Sequence, residues 1–346
     1  MSTEIVLSSR WSLPENRRRE ALRAAHGQDA DVLGELVEYH LRLKSRRAGE
    51  VSASTLRGYR LAIRDFLSFT GPPGAPRHAL TQLDAEVIER YLIELRGRGL
   101  EVGSIRTYLY GVRALFRALV WAGALHQDPA QGVRAPYDAT PAHTRKRAVA
   151  APQLQRLFAL PGELHGDDLV GQRDRVILTL GATLGLRAGE IVGLDVADVD
   201  LGLGEVHVRR GKGGKSRRVP VTPAAAQVFA RWLQTREALR VRGEVREDEP
   251  SLLVSFRPSR FGRRLSARGL REIVNGYLAA AGLPRDMFGV HTLRRTAGTR
   301  LYRATRDLHV VSDILGHANI TTSAIYAKMD QGIRREALQK VEDDLD

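Results

Sequence analysis

Several side chains in the second half of the chain could act on a phosphodiester. In chain order they are Arg187 in "TLGLRAGEI", Lys212 in "GKGGK", His291 and Arg294 in "HTLRRTAG", His317 in "DILGH" and Tyr326 in "SAIYAKM". Two arginines could each offer a planar fork of donors to phosphate oxygens and balance the added negative charge of a five-coordinate phosphorus. A tyrosine phenol beside imidazoles and guanidiniums could serve as the nucleophile and hold the phosphate in a covalent ester. The residue types therefore predict phosphodiester transfer in two steps.

The glycine-rich segment 209–221, "RRGKGGKSRRVPV", is similar to the end of a nucleotide-binding P-loop but does not fit one. Gly214, Lys215 and Ser216 match the last part of that motif, whereas its first glycine would fall on Arg209. The residues that follow have the pattern of a strand, and a P-loop requires a helix whose N-terminus holds the phosphate. We therefore expect no ATP site. The sequence also lacks carboxylates clustered at metal-ligand spacing, so we expect no metal ion and no cofactor.

The overall charge indicates a polyanionic partner. The 346 residues carry a net charge of +14, with a pI near 10.5. Nucleic acid is the first candidate, because cations along a groove release counterions from the phosphates. A membrane surface is disfavoured, since the basic residues are spread along the chain and not gathered on one amphipathic helix. With no cysteine, no secretory signal pattern and no long apolar segment, we expect a cytoplasmic protein at the nucleoid.

The first half of the chain reads as a helical DNA-binding domain behind a basic arm. Residues 1–28 are arginine-rich without a sustained period, and we expect a loosely held arm there. Residues 29–127 predict a compact bundle of four helices, the second capped by Ser or Thr and ended by Gly71, the third capped by Thr81. Cations between the apolar positions are expected on the DNA backbone: Arg57, Arg60, Arg64, Arg106 and Arg113.

The second half predicts a mixed domain joined to the first by a linker. Residues 128–148 contain three prolines and little periodicity, which is typical of a linker. Residues 149–332 predict helices around one β-hairpin, and residues 333–346 predict an amphipathic helix with an acidic end. The fold class is thus mainly α with a small β-hairpin, an α+β domain following a helical bundle. Lys212 is expected at the hairpin tip, and flanking cations are expected along the DNA backbone: Arg209, Arg210, Lys215, Arg217 and Arg218.

The motifs around Arg187, Lys212, His291–Arg294, His317 and Tyr326, taken in this order, resemble those of the tyrosine recombinase family. The likeness is greatest to the Xer-type chromosome-dimer resolvases and the phage-type integrases, and it covers roughly residues 30–335. The helical first half looks like the core-binding, SAM-like domain of that family. The resemblance implies a site-specific DNA recombinase that works through a 3′-phosphotyrosyl link and a Holliday junction, without ATP or a metal ion.

The resemblance also implies a role for each motif residue on the phosphate. Arg187 and Arg294 match the two arginines that clamp the scissile phosphate, and Glu190 matches an acidic residue that steadies the site. Lys212 matches the lysine that protonates the 5′-oxygen leaving group. Lys215 lies close enough in the sequence to be an alternative general acid, and the spacing from Arg187 favours Lys212.

The remaining motif residues match the nucleophile and its neighbours. Tyr326 matches the nucleophilic tyrosine, His291 an acid/base toward that tyrosine, and His317 a second imidazole that bonds a phosphate oxygen. Members of the family act as tetramers on two DNA duplexes. The segment around Ile333–Val341 looks like the C-terminal helix that docks into a neighbouring subunit; its alternative is packing on its own domain.

Two other functions share parts of this pattern. A type IB topoisomerase uses the same chemistry to relax DNA, but the short "SAIYAKMD" ending and the N-terminal bundle favour recombination. A non-cleaving DNA-binding protein would suit the basic helical half, but such a protein has no need of Tyr326. The biological role stays open between chromosome dimer resolution, phage integration and transposon movement, as do the target sequence and any partner recombinase.

Overall fold

A computed structural model provides the coordinates of the chain. It describes residues 9–45, 49–72, 76–137, 147–209 and 216–317, followed by 319, 323, 326, 339 and 341–343. The chain forms two compact units, residues 1–139 and 140–346. No helix within the described residues is both long and apolar enough to cross a membrane.

The first unit is built from helices around an aromatic core. Its helices are α1 (Ser9–Ser12), α2 (Pro14–His26), α3 (Ala30–Leu43), α4 (Ala53–Thr70), α5 (Ala85–Gly97) and α6 (Val102–Trp121). The ring of Phe66 meets those of Tyr91 and Phe116 edge-on, with centroids 5.0 and 5.9 Å away. Helices α4 and α6 cross closely, because a Cβ at Gly111 would lie 2.5 Å from that of Ala62.

Two expectations for the first unit are wrong in detail. Residues 9–26 are not a loose arm: they form α1 and α2, and Trp11 is buried in the core with only 2% of its surface exposed. The stripe that buries α2 consists of small alanines at positions 21, 24 and 25, which give a weak apolar signal in an arginine-rich sequence. Helix α4 is capped by Ser52 and ends at Gly71 as predicted, but α5 is capped by Asp84 and not by Thr81.

The expected linker, residues 128–148, is partly packed against the first unit. Ala130 and Val133 are fully buried in its core, and the Asp128 carboxylate accepts a hydrogen bond from the Ala130 amide at 2.9 Å. Residues 138–146 lie outside the described part of the chain. The amide of Val149 donates to the Thr296 hydroxyl at 3.0 Å, which fixes the start of the second unit.

The second unit is helical with one small sheet. Its helices are α7 (Ala151–His165), α8 (Leu169–Leu178), α9 (Ala188–Gly193), α10 (Pro223–Val241), α11 (Ala267–Ala280), α12 (Val290–Thr305) and α13 (Leu308–Leu315). Its strands are β1 (Val199–Asp200), β2 (Glu205–Val208) and β3 (Arg217–Pro220). They form an antiparallel sheet in that order, with Val206 opposite both Val199 and Val219. The predicted hairpin is β2 and β3; β1, only two residues long, was not predicted.

The turn before α9 depends on a glycine. A π-helical turn, Thr179–Thr183, follows α8, and Gly185 then has φ = 71°. A side chain at this position would collide with Leu315 of α13 and would lie 3.2 Å from the Cβ of Ala297 in α12. Three elements therefore converge on the residues just before Arg187. The fold class predicted from the sequence, mainly α with a small sheet, is confirmed.

Candidate active site

Arg187 and Glu190 form one unit at the start of α9. The Arg187 amide donates to Glu190 Oε2 at 2.9 Å, and its Nη1 donates to Glu190 Oε1 at 2.7 Å. Arg187 Nη2 also donates to the carbonyl of Gly316, just after α13, at 3.1 Å. Glu190 thus fixes both the backbone and the side chain of Arg187, and one edge of the guanidinium faces the end of α13.

Arg294 lies on α12 and is almost completely buried. Its Nη1 donates to the Gly185 carbonyl at 2.6 Å, and its Nη2 donates to the Leu315 carbonyl at 2.7 Å. Burial and the nearby Arg187 charge lower the pKa of Arg294 to about 10, which leaves it cationic at neutral pH. Each guanidinium has five N–H donors, and the bonds named for Arg187 and Arg294 leave several of them for phosphate oxygens.

His317 is a neutral imidazole at the edge of this pair. Gly316 ends α13 in the left-handed conformation (φ = 66°), and the chain then places His317 Nδ1 2.7 Å from the hydroxyl oxygen of Ser323. Burial and the charges of Arg294 and Arg187 lower the pKa of His317 to about 4. At neutral pH the ring therefore has one N–H donor and one acceptor, which suits a hydrogen bond to a phosphate oxygen.

Tyr326 is buried, with 4% of its surface exposed. Its ring stacks on that of His317 with centroids 5.9 Å apart and lies against Gly298, where a Cβ would come within 2.5 Å of Tyr326 Cζ. Burial raises the pKa of Tyr326, and the charges of Arg294 and Arg187 offset part of that rise. The phenol therefore stays protonated at neutral pH, and as a nucleophile it would need a base to take its proton.

His291 lies in the first turn of α12 and is exposed. It is three residues before Arg294, so the two side chains project from neighbouring positions on the helix. The described structure thus brings together Arg187, Glu190, Arg294, His317 and Tyr326; His291 is an exposed residue one turn before Arg294 on the same helix. Lys212, Arg210 and Lys215 lie outside the described residues.

The hairpin cations that are described have different surroundings. Arg209 pairs with Asp195 and, at 2.6 Å, with Asp198; the exposed Arg218 pairs with Glu205 at 3.2 Å. Arg217 points inward instead: it is bonded to Glu190 and its side chain is only 11% exposed. Arg217 was predicted along the DNA backbone, and this setting does not favour that prediction, because its guanidinium is bonded to the buried Glu190 carboxylate.

The arginines of the first unit mostly lie on exposed helix faces. Arg57, Arg60 and Arg64 follow one another along α4, where Arg60 pairs with Glu38 and Arg64 with Asp31. Arg106 on α6 is exposed as well. Arg113, which is also predicted to contact the DNA backbone, has a different setting. It is half-buried and donates to the Val133 carbonyl, because its helix face packs against the chain that leaves the unit.

Family models match both halves of the chain. Residues 149–332 match the Phage integrase family, and residues 36–123 match the Phage integrase N-terminal SAM-like domain. The chain belongs to the phage integrase family. It is a tyrosine site-specific recombinase, and the family predicted from its motifs is confirmed.

Relatives of this recombinase are similar over most of its length. Tyrosine recombinase XerC of Salmonella typhi is 32% identical over 281 residues, which cover 81% of this chain and 87% of that protein. Tyrosine recombinase XerC of Ralstonia pickettii is 34% identical over 295 residues, covering 81% and 85%.

Two solved structures share the fold of this recombinase. XerH bound to a palindromic difH substrate in a post-cleavage complex has a TM-score of 0.70 and 20% identity, covering 95% of this chain and 97% of that one. A lambda integrase dimer bound to a COC′ core site has a TM-score of 0.60 and 19% identity, covering 85% and 76%. At these identities, the likeness concerns the fold alone.

Sequence reasoning missed two contributors to the site. Ser323 fixes the His317 ring, and nothing in its local sequence distinguishes it from other serines. Gly298 admits the Tyr326 ring; a glycine inside a helix is costly, so its presence in "RRTAGTR" was a usable signal for close packing.

Proposed function

We propose that this recombinase cleaves and rejoins double-stranded DNA at a specific site through a 3′-phosphotyrosyl link to Tyr326. The observation that supports this most strongly is the convergence of two arginines, a neutral histidine and a tyrosine around the end of α13. Two guanidiniums there can hold the non-bridging oxygens of one phosphate and stabilise the charge that develops on them.

In the proposed first step, Tyr326 Oη forms a bond to phosphorus and the bond from phosphorus to the 5′-oxygen breaks. The phenolic proton passes to His291 as base, and the leaving oxygen takes a proton from Lys212, with Lys215 as the alternative donor. His317 donates a hydrogen bond to a non-bridging oxygen. The second step reverses the first, with the 5′-hydroxyl of another strand as attacker, so neither ATP nor a metal ion is required.

The burial of Tyr326 means that the proposed attack needs a preceding movement of this side chain. Because the phenol is enclosed and its pKa is raised, we propose that the Tyr326 side chain shifts on DNA binding so that its oxygen faces the phosphate. DNA binding is thus proposed to precede activation of the nucleophile. This order would keep Tyr326 unreactive when no DNA is bound.

We also propose how the chain divides this work. The first unit would hold the duplex through the exposed face of α4 and Arg106, and the second unit would carry the chemistry. Two duplexes would be joined in a tetramer through the segment 333–346, and strands would be exchanged through a Holliday junction. Because the similar curated proteins are XerC recombinases, we favour an Xer-type role in chromosome dimer resolution, at the nucleoid in the cytoplasm.

The experiment first requires the DNA site. Genomic fragments that stay covalently bound to the protein after denaturation would be sequenced to identify it. A duplex of that sequence, nicked beside the scissile phosphate so that religation fails, should then accumulate a covalent adduct with the wild-type chain and none with Tyr326→Phe. The absence of any adduct on a verified site would refute the proposal, and relaxation of any supercoiled plasmid without site preference would favour a topoisomerase.

A further inference from the structure

Three arginines from three elements bind three consecutive carbonyls at the end of α13. Arg217 Nε donates to the Ile314 carbonyl at 3.0 Å, Arg294 Nη2 to that of Leu315 at 2.7 Å, and Arg187 Nη2 to that of Gly316 at 3.1 Å. The last carbonyls of a helix lack intrahelical partners and carry the negative end of its dipole, so cations are stabilised there. Only Arg187 and Arg294 have a role in the mechanism above; Arg217 has none.

Arg217 is also the second ligand of the carboxylate that holds Arg187. Its Nη1 lies 3.1 Å from Glu190 Oε1 and its Nη2 lies 2.9 Å from Oε2. Burial of Glu190 raises the pKa of the carboxyl, but the bonds from Arg217 and Arg187 outweigh that effect and the pKa is lowered. Glu190 therefore stays ionised while it is shared between two guanidiniums.

The Arg217 side chain is closely packed and has little room to take another conformation. Its side chain is 11% exposed, and that of Glu190 is 3% exposed. A Cβ on Gly316 would lie 2.9 Å from both Arg217 Cδ and Nη1, so a residue larger than glycine would press on the guanidinium. With its donors on Glu190 and Ile314 and little contact with solvent, the guanidinium faces protein groups.

We propose that Arg217 is a positioning residue that aims Arg187 and His317 at the scissile phosphate without contacting the DNA. This inference rests on the function proposed above. Without Arg217, the full charge of Glu190 would act on Arg187 alone and draw its guanidinium away from the phosphate. The end of α13, which leads directly into His317, would lose the donor on Ile314.

The test compares Arg217→Gln with Arg246→Gln, the same change at an exposed arginine of the same unit that pairs with Asp248 and has no role in the proposed site. On the nicked duplex that traps the wild-type adduct, Arg217→Gln should bind with unchanged affinity and form the adduct about 10- to 100-fold more slowly. Arg246→Gln should form the adduct at nearly the wild-type rate. A loss of DNA affinity equal to the loss of cleavage rate in Arg217→Gln would overturn the proposal, since it would indicate a direct DNA contact.

A second readout separates positioning from simple loss of structure. Replacing one non-bridging oxygen of the scissile phosphate by methyl removes the negative charge of the linkage. The reaction then depends less on correctly oriented guanidinium groups. The defects of Arg217→Gln and Arg187→Gln should both shrink on this neutral linkage, and Arg217→Gln should add little to Arg187→Gln in the double variant. A defect of Arg217→Gln that is equal on both linkages would contradict the positioning role.

Two controls keep the outcomes distinct. If Arg217→Gln unfolds, Arg217→Lys carries the same expectations, because an ammonium keeps the charge beside Glu190 but cannot bridge both of its oxygens and Ile314. If the wild-type chain forms no adduct, the proposed function fails. If it does and Arg217→Gln matches it in rate, only the positioning role fails.

Discussion

The arginines on α4 and the arginines around the end of α13 are similar in sequence and different in setting. Arg60 and Arg64 each meet one carboxylate at an exposed helix face, whereas Arg217 and Arg294 each bind several acceptors in the protein interior. Exposed ion pairs contribute about 0–1 kcal/mol, because solvent screens them and the side chains lose freedom. A buried guanidinium without hydrogen-bond partners would raise the free energy of the folded chain. The acceptors that bind it are therefore held in place.

The comparison shows how one residue type can serve two purposes. On α4, the ion pairs of Arg60 and Arg64 are exposed, and in the proposed function these arginines would exchange their carboxylates for DNA phosphates. Around α13, they are set in place before any DNA arrives, which reduces the reorganisation needed in the reaction. Substitutions in the two regions should therefore have different effects. Those around α13 should greatly reduce the rate of adduct formation, and those on α4 should slightly reduce DNA affinity.

Arg294→Gln should have the largest effect. It removes a buried charge from the phosphate site and the donors of the Gly185 and Leu315 carbonyls, so adduct formation should fall by at least about 100-fold. The free energy of unfolding should fall by about 3 kcal/mol. Denaturant titration and the trapping assay measure both. Arg64→Gln is the matched control and should change the unfolding free energy by less than about 0.5 kcal/mol.

Gly298→Ala should displace the nucleophile. The new Cβ would lie within 2.5–2.8 Å of three ring atoms of Tyr326, so the ring has to move. We expect adduct formation to change severalfold or more and the unfolding free energy to drop by about 1–3 kcal/mol. Gly276→Ala on the open face of α11, with no atom within 4 Å, should instead stabilise the chain by about 0.5–1 kcal/mol. Equal effects of the two changes would contradict the packing described for Tyr326.

The burial of His317 predicts a pH dependence of stability. Its pKa in the folded chain, about 4, lies below the ordinary histidine value of 6.5, so the unfolded chain binds the extra proton first as pH falls. The contribution of neutral His317 to stability is therefore complete above about pH 6.5 and is lost progressively as the pH falls from 6.5 toward 4. Melting temperatures measured across this range should fall less steeply for His317→Gln than for the wild type. Equal pH dependence of His317→Gln and the wild type would contradict the assignment.

The smallest effects should come from the α4 face. Single Ala substitutions of Arg57, Arg60 and Arg64 should weaken DNA binding at every sequence alike and reduce the slope of log K against log salt by about 1 for each phosphate that the variant no longer neutralises. The cleavage rate on saturating DNA should not change. A salt slope that is unchanged in the α4 variants would remove this face from the proposed DNA interface.

Arg113→Ala should lower the stability of the chain, because its bond to the Val133 carbonyl is removed, and should leave the salt slope of DNA binding unchanged.

Much of this molecule could be predicted from local pattern. Helices α3 to α6 follow from apolar residues at helical spacing, and the strand pair follows from alternation around glycines. The motif residues Arg187, Arg294, His317 and Tyr326 were identified by their types and order, and they do converge. What local pattern could not show depends on long-range contact: Arg217 lies 97 residues from the Ile314 carbonyl that it binds, and no spacing reveals that an arginine will be buried. Likewise, the alanine stripe of α2 can be recognised as a buried face only once the core that it covers is known.

Peptide mapping of the covalent adduct tests the central claim most directly. The trapped complex would be digested with protease and nuclease, and the peptide that carries the remaining nucleotide would be sequenced by mass spectrometry. We predict a single modified residue, Tyr326, joined to a 3′-phosphate, with no modified peptide from Tyr326→Phe. A nucleotide on any other residue, or an adduct that persists in Tyr326→Phe, would contradict the assignment of Tyr326 as nucleophile and of the end of α13 as the active site.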